Sequence, residues 1–286
     1  MKTAFFGTPR LAQIVLEKLV DSPYKPQLVV TAPDARVVRG QKNLQSPAKE
    51  TAVKNSIDVL EPKDFNNFDA KFDLAILIAY GKILPGKILE IPKFGFINIH
   101  PSLLPKYRGP TPVQTAILED EEKTGISIIL LDKEVDHGPI LAQQEVGIER
   151  DDNHLSLNEK LAAIGAKVLL EILPLYIDGK LKLIPQDHKK ATFTQHISKE
   201  NGFVDPQNPP DKQTFGRMVR AYHPWPGVWT RLQSPERSDG GQAKLDGKII
   251  KFLPGGLIQP EGKKPMTKKE FLNGYPKTKE LIEKLF

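Results

Sequence analysis

Short apolar runs alternate with amphipathic segments over the first half of the chain. The runs are rich in β-branched and aromatic residues and are bounded by turn residues, a pattern that is typical of buried strands. The predicted strands cover residues 3–6, 27–31, 57–60, 74–79 and 96–100. Because amphipathic helical segments such as residues 10–20 lie between them, the pattern predicts a doubly wound, mostly parallel sheet.

The second half of the chain changes character. Two further strands, a long helix from the capping-box pattern of Ser156 and Glu159 to about residue 176, and then a polar stretch without clear period follow in order. Beyond it, short strand patterns with Gly-rich turns indicate a small β-rich module. The predicted class is therefore α/β, with a main domain at 1–183, a linker at 184–202 and a second domain at 203–286.

Composition excludes several chemistries. Cys is absent, so the chain has no disulfide, no thiolate nucleophile and no Cys-based zinc site. The six His residues lack paired metal-ligand spacing, and we expect no metal. The first strand is not followed by Gly-x-Gly-x-x-Gly, and no phosphate-binding Gly-x-x-x-x-Gly-Lys loop occurs, which argues against a dinucleotide or P-loop site.

Charge and hydropathy indicate the setting. No run of about eighteen apolar residues exists and the N-terminus lacks the apolar length of a signal peptide, so we expect a soluble, cytoplasmic protein without membrane contact. A net charge of +6 weakly favours a polyanionic partner.

The strand at residues 96–100 carries the candidate chemistry. Asn98 and His100 are two positions apart, so they project to the same side near the strand's carboxyl end, where α/β sheets bind ligands. About thirty residues later an acidic turn carries Asp136 between two apolar runs, so an amide, an imidazole and a carboxylate can meet. Ser102, His100 and Asp136 also have the residue types of a hydrolase triad, but no Gly-x-Ser-x-Gly elbow surrounds Ser102.

Two motifs carry a family resemblance. The string Ile-Asn-Ile-His-Pro-Ser-Leu-Leu-Pro-Lys-Tyr-Arg-Gly at residues 97–109 and the later Asp-His-Gly-Pro-Ile-Leu at 136–141 resemble the signature of the folate-dependent formyltransferases. This family includes enzymes that act on glycinamide ribonucleotide, methionyl-tRNA and sugar nucleotides, and formyltetrahydrofolate deformylases. The resemblance implies a Rossmann-like formyltransferase domain followed by an OB-like C-terminal domain.

The resemblance also implies a site. Asn98 and His100 would donate to the oxyanion of a tetrahedral intermediate, while Asp136 would orient His100, favour its charged form and accept the proton of the attacking amine. The co-substrate would be 10-formyltetrahydrofolate, held by the loop that follows β-strand 96–100 and by the exit of strand 74–79. The implied folate-binding residues are Ser102, Leu103, Leu104, Pro105, Tyr80 and Gly81.

Basic segments resemble those of methionyl-tRNA formyltransferases in particular. Arg36, Arg39 and Lys42 match a basic insertion after the second strand, although a solvated surface loop is the alternative from composition alone. Residues 220–229 and 259–274 resemble the C-terminal domain of the same enzymes. Predicted phosphate contacts there are Lys263, Lys264 and Lys268, while Trp225 and Trp229 are expected in the core.

The resemblance therefore implies initiator methionyl-tRNA as partner and a monomeric enzyme. The chain departs from the pattern of the tRNA enzymes at Arg10-Leu11, at Pro110-Thr111 and over residues 233–247, where the C-terminal domain is shortened.

Three alternatives remain from the residues. A deformylase would activate water with the same three residues, but such enzymes carry a small domain before the catalytic strand and this sequence starts at that strand. A sugar-nucleotide formyltransferase shares the catalytic half, and the basic segment at 36–42 argues against it. A non-enzymatic RNA-binding protein would not explain Asn98, His100 and Asp136 together.

Overall fold

A computed structural model describes residues 1–34, 45–231 and 247–286 of the chain. The strands are β1 (Thr3–Phe6), β2 (Leu28–Val30), β3 (Asp58–Leu60), β4 (Leu74–Leu77), β5 (Phe96–His100), β6 (Lys123–Leu130), β7 (Ile140–Gly147), β8 (Val228–Arg231), β9 (Ile249–Leu253) and β10 (Leu257–Pro260). The α-helices are α1 (Arg10–Val20), α2 (Pro47–Lys54), α3 (Gly86–Leu89), α4 (Pro112–Leu118), α5 (His154–Ile177), α6 (Lys212–Tyr222), α7 (Lys268–Gly274) and α8 (Lys279–Leu285).

The first seven strands form one sheet in the order β3-β2-β1-β4-β5-β6-β7. The five strands from β3 to β5 run parallel, whereas β6 is antiparallel to β5 and β7 is antiparallel to β6. The predicted α/β fold with a mostly parallel sheet is therefore confirmed. Its topology makes β5 the last parallel strand, and the direction of the sheet changes beside it.

Aromatic packing holds the parallel strands together on one face. The ring of Phe6 on β1 lies 5.0 Å from that of Phe96 on β5 and 5.6 Å from that of Tyr80, centroid to centroid, in edge-to-face geometry. On α1 the buried residues Val15, Leu16 and Leu19 cover the sheet side of an amphipathic helix. The Phe6 ring therefore links β1 to β5 and to Tyr80, which follows β4.

The C-terminal residues form a separate antiparallel sheet in the order β10-β9-β8. This confirms the predicted β-rich module, although the sequence analysis missed β10 and α8. Phe215 of α6 packs edge-to-face on Phe252 of β9 at 5.1 Å. The prediction that Trp225 belongs to the core is wrong, because its side chain lies in a Pro-flanked turn and is 58% exposed.

Helix α5 begins at His154, two residues before the predicted capping box. The side-chain oxygen of Asn153 accepts hydrogen bonds from the backbone N–H groups of Leu155 at 2.9 Å and Ser156 at 3.2 Å, as an N-cap does. Ser156 is instead inside the helix, where its hydroxyl donates to Asp152 at 2.8 Å. The predicted capping box at Ser156 was therefore wrong.

Residue contacts divide the described chain into two compact units. The first contains Met1–Pro112, Lys123–Gly147 and Asn158–Gln195, and the second contains Val113–Glu122, Ile148–Leu157 and His196–Phe286. Residues 184–195, which the sequence analysis included in a linker, belong to the first unit, and Ile184 exchanges two backbone hydrogen bonds with Ile140 of β7.

Among the described residues no helix is long and apolar enough to cross a membrane.

Replacement by Ala should have opposite effects on stability at two helical glycines. A Cβ atom at Gly165 of α5 would lie 2.7 Å from Cγ2 of the buried Ile99 on β5, whereas no atom lies within 4 Å of a Cβ at Gly216 of α6. Overpacking costs about 1–3 kcal/mol, while Ala in place of Gly in a helix gains roughly 0.5–1 kcal/mol. We therefore expect Gly165→Ala to lower the free energy of unfolding and Gly216→Ala to raise it. Calorimetric unfolding of both variants measures the two signs, and a gain of stability in Gly165→Ala would contradict the close helix-to-strand packing.

Candidate active site

Strand β5 aims two polar side chains to one face of the sheet. Asn98 and His100 alternate with the buried Ile97 and Ile99, and they are themselves only 6% and 4% exposed. Asn98 pairs with Leu77 of parallel β4 on one side and with Ile129 of antiparallel β6 on the other. Asn98 is thus held between hydrogen-bonded strands on both sides, whereas His100 is paired on one side, with Ser127 of β6.

Asp136 brings the third group. It lies in the connection between β6 and β7 with a left-handed φ of 49°, a conformation that Asp tolerates better than most residues. Its Oδ1 lies 3.4 Å from Asn98 Nδ2 and 3.5 Å from His100 Nδ1. Its Oδ2 accepts a hydrogen bond from the backbone N–H of Gly109 at 2.8 Å. The side chains of Asn98 and His100 therefore meet at the carboxylate of Asp136, so the three predicted catalytic residues lie together.

The ring of His100 faces an acceptor on each nitrogen. Nε2 lies 2.9 Å from the carbonyl oxygen of Tyr107, and Nδ1 faces Asp136. Since a carbonyl oxygen and a carboxylate only accept hydrogen bonds, the doubly protonated imidazolium is the form that can donate to both. In that form the ring places its positive charge beside Asn98, since both side chains contact Oδ1 of Asp136.

Ser102 does not contact the imidazole of His100. Its fully buried hydroxyl donates to the carbonyl oxygen of Lys106 at 2.6 Å, and its own carbonyl oxygen accepts from Ser127 Oγ at 2.6 Å. The side chain thus closes the loop after β5. A Ser-His-Asp hydrolase triad is absent from this part of the described chain because the Ser hydroxyl and the imidazole have different partners.

Side chains of β6 and β7 hydrogen-bond the predicted folate-binding loop. Leu104 donates its N–H to Ser127 Oγ at 2.9 Å, and the amide of Gln143 donates to Leu104 O and Ser127 Oγ, both at 2.8 Å. Leu104 is buried against Ile129 and Ile140, whereas Leu103 and Pro105 are partly exposed. The exposed surface of this loop therefore comes from Leu103, Pro105 and the backbone.

Tyr80 and Gly81 follow β4. The ring of Tyr80 is 2% exposed within the aromatic cluster of the core, its hydroxyl has no partner among the described residues, and burial raises its pKa to about 12. Gly81 has a φ of 81°, and no atom lies within 4 Å of the place of a Cβ. At this predicted folate-binding position, only backbone groups and the open space at Gly81 can face a ligand.

The predicted basic residues lie apart from this carboxylate cluster in the sequence. Lys263 and Lys264 are exposed, and Lys268 at the start of α7 is half-buried with its Nζ 5.8 Å from the ring of Phe286. Arg36, Arg39 and Lys42 lie outside the described residues. Throughout residues 1–34, 45–231 and 247–286, no group of three or more His, Asp or Glu side chains could hold a metal ion.

Two buried side chains close to the Asp136 turn were not predicted from the sequence. Arg108 is 3% exposed and Gln186 is 6% exposed, and the guanidinium donates to the Gln186 side-chain oxygen. Arg108 was part of the recognised motif, but Gln186 lay in the segment interpreted as a linker. Its polar character in an aperiodic stretch gave no sign of burial.

Comparisons with known proteins identify the family of the chain. A family model described as formyl transferase matches residues 1–173 of the chain. A methionyl-tRNA formyltransferase of Roseiflexus castenholzii is 38% identical over 302 residues, which cover 96% of this chain and 96% of that protein. Another from Kosmotoga olearia is 39% identical over 266 residues, which cover 90% of this chain and 85% of that protein.

Solved structures share the fold at lower identity. The N-formyltransferase from Helicobacter canadensis in complex with folinic acid and dTDP-3-aminofucose has a TM-score of 0.62 at 18% identity, covering 93% of this chain and 100% of that chain. A 4-N formyltransferase from Francisella tularensis has a TM-score of 0.63 at 20% identity, covering 81% and 93%. The two structures extend the likeness in fold beyond the range of close sequence similarity, and the full-length identity to curated relatives assigns the family. The chain therefore belongs to the methionyl-tRNA formyltransferase family.

Proposed function

We propose that this protein transfers the formyl group of 10-formyltetrahydrofolate to the α-amino group of methionine esterified to initiator tRNA. The observation that carries the chemistry is the convergence of Asn98, His100 and Asp136 at the end of β5. The substrate is supported by family membership over nearly the whole chain. The folate donor is supported by the loop motif at residues 102–105.

The reaction begins with attack of the neutral amine nitrogen on the formyl carbon. This bond gives a tetrahedral intermediate with an oxyanion, which collapses as the bond from carbon to N10 of the folate breaks. A proton leaves the amine and one is returned to N10, so the products are the formylated amine and tetrahydrofolate. The protein therefore has to stabilise one developing negative charge and move one proton.

Asn98 and His100 stabilise the oxyanion in different ways. The amide of Asn98 has two N–H hydrogens, and its 3.4 Å contact with Asp136 is long, so one hydrogen can point to an oxyanion. Both nitrogens of His100 already face acceptors, so its contribution is the positive charge held beside that position. A fixed charge in a buried site acts more strongly than it would in water.

Asp136 is suited to receive the amine proton. Its carboxylate is 13% exposed, and the contacts to Asn98 and His100 hold it on the side of the β5 polar groups. Proton transfer to it occurs directly or through one water.

The experiment that tests the substrate is formyl transfer from 10-formyltetrahydrofolate to methionyl initiator tRNA. Methionyl elongator tRNA and an assay of formate release run beside it. Formyl-methionyl product on the initiator tRNA alone supports the proposal. Formate release without that product would assign the chain to hydrolysis, and formylation of a sugar nucleotide in its place would support the sugar-nucleotide alternative.

Removing the oxyanion donor Asn98 or the proton acceptor Asp136 should slow the chemical step without weakening tRNA binding. We expect Asn98→Ala and Asp136→Ala each to lower kcat by about 10²–10³, the usual loss for one stabilising group of this kind. Steady-state kinetics and a tRNA binding assay measure the two effects separately.

Asp132→Ala is the matched control for Asp136→Ala. Asp132 belongs to the same connection and also pairs with a histidine, His137, at 2.6 Å, but it does not contact Asn98 or His100. We expect it to keep kcat near the unchanged protein's value. Near-normal turnover in Asp136→Ala would refute the role assigned to that carboxylate.

Ser102 separates formyl transfer from serine hydrolysis. Because its hydroxyl bonds Lys106 O, Ser102→Ala should lower the free energy of unfolding by about 1 kcal/mol and leave kcat nearly unchanged. Loss of a serine nucleophile would instead cost roughly 10⁶ in kcat. A loss of kcat of about that size in Ser102→Ala would support a Ser-His-Asp hydrolase instead.

Lys263, Lys264 and Lys268 of the second unit are proposed phosphate contacts, together with Arg36, Arg39 and Lys42. We expect the double variant Lys263→Glu with Lys264→Glu to raise the KM for tRNA and to leave kcat at saturating tRNA unchanged. The salt dependence of the affinity should flatten by roughly one unit of slope per lost phosphate contact.

The control changes the net charge equally at two exposed lysines of the first unit, Lys18→Glu with Lys167→Glu. An equal rise of KM in both double variants would mean that only the total charge matters. No change in either would remove Lys263 and Lys264 from the proposed tRNA contacts.

A further inference from the structure

The backbone of the Asp136 turn is held by one buried amide. The side-chain NH₂ group of Gln186 donates to the carbonyl oxygen of Asp136 at 2.9 Å and to that of Gly138 at 2.8 Å. These two bonds use both hydrogens of the amide, and they reach across fifty residues of sequence. They hold the turn at the residue whose left-handed φ of 49° few side chains adopt.

Arg108 fixes the orientation of that amide. Its Nη2 and Nε donate to Gln186 Oε1 at 2.7 and 3.3 Å, and its Nη2 also lies 2.9 Å from His188 Nδ1. A flipped amide would set Oε1 against two carbonyl oxygens and its NH₂ against a guanidinium, which cannot accept. The chemistry of the neighbours therefore determines which end of Gln186 faces Asp136.

The segment of residues 107–109 contacts the side chains of both His100 and Asp136. Tyr107 offers its carbonyl oxygen to His100, and Gly109 donates its N–H to Oδ2 of Asp136. Arg108 lies between them, and its own N–H and carbonyl oxygen pair with the backbone of Thr192 and Thr194 at 2.8 and 2.7 Å. A closed ring of contacts thus runs from Asp136 through Gly109, Arg108 and Gln186 back to Asp136.

We propose that Gln186 is a positioning residue that sets the carboxylate of Asp136 against Asn98 and His100, and that Arg108 orients Gln186 for this task. The inference rests on the proposed function, because it matters to turnover only if Asp136 takes part in the reaction. Gln186 acts on the backbone of the turn and not on the substrate. Its loss should therefore affect the rate of the chemical step more than the binding of either substrate.

The test replaces Gln186 with Glu. The variant keeps the length of the side chain and its contact with Arg108, but it presents an oxygen to two carbonyl oxygens in place of two N–H donors. We expect kcat to fall roughly 10- to 100-fold, as for a displaced catalytic group, with the KM values for tRNA and folate donor nearly unchanged. Gln186→Met removes the same two donors without adding a charge and should show the same split.

The position of the carboxylate has a direct spectroscopic reporter. The amide proton of Gly109 bonds Asp136 Oδ2, so its NMR chemical shift and its exchange rate report whether the carboxylate is in place. We expect the Gly109 signal to move and to exchange faster in Gln186→Glu, in the same direction as we expect for Asp136→Ala.

Gln27→Glu is the matched control. The side chain of Gln27 also bridges two backbone groups of the first unit, since it accepts from Thr3 N at 2.8 Å and donates to Lys25 O at 2.7 Å. These contacts lie at the amino ends of β1 and β2, whereas the candidate site lies at the carboxyl end of β5. We expect it to change thermal stability without changing kcat or the Gly109 signal. A merely structural role of Gln186 would give the same result as this control.

The outcomes separate this inference from the proposed function. A low kcat in Asp136→Ala with normal kcat in Gln186→Glu overturns the positioning role alone. Normal kcat in Asp136→Ala overturns the proposed role of Asp136 and this inference with it. A fall of kcat in Gln186→Glu while the Gly109 signal stays unchanged also overturns the inference, since the loss would then have another origin.

Discussion

Two polar side chains of β5, Asn98 and His100, are almost completely buried, and the carboxylate of Asp136 provides an acceptor within 3.5 Å of each. Buried polar groups without partners are costly, so the site depends on this shared oxygen. The second carboxylate oxygen is bonded by Gly109. Because every group is already held by the fold, the proposed reaction needs little reorganisation as charge develops in the substrate, which is the condition for electrostatic catalysis.

The change of strand direction at β5 explains why this carboxylate needs support. β6 runs antiparallel to β5, and its last residue, Leu130, pairs with Ile97 near the beginning of β5. The connection that carries Asp136 therefore leaves the sheet near the amino end of β5. It then runs back along β5 to reach His100 at the carboxyl end. The connection contains a left-handed residue, Asp136, and Gln186 supplies two long-range hydrogen bonds to its backbone.

The segment after α5 has a structural role that its composition conceals. Residues 184–195 pair with β7 at Ile184 and with the loop that follows β5 at Thr192 and Thr194, all within the first unit. Threonine, glutamine and charged residues dominate this stretch, so it has no apolar period. Its stability comes from specific hydrogen bonds to loops whose backbone groups would otherwise be buried without partners.

By itself the sequence determined the alternation of strands and helices, the mostly parallel sheet, the β-rich second module and the family, because hydrophobic periodicity and motif spacing are local properties. It also identified Asn98, His100 and Asp136 as candidates. Only the tertiary structure decided that the Ser102 hydroxyl bonds Lys106, that the Tyr80 ring belongs to the core and that Gln186 is buried behind Asp136. A local pattern indicates which positions are buried, but the partner of a buried polar group depends on chain segments that are distant in sequence and meet only in the fold.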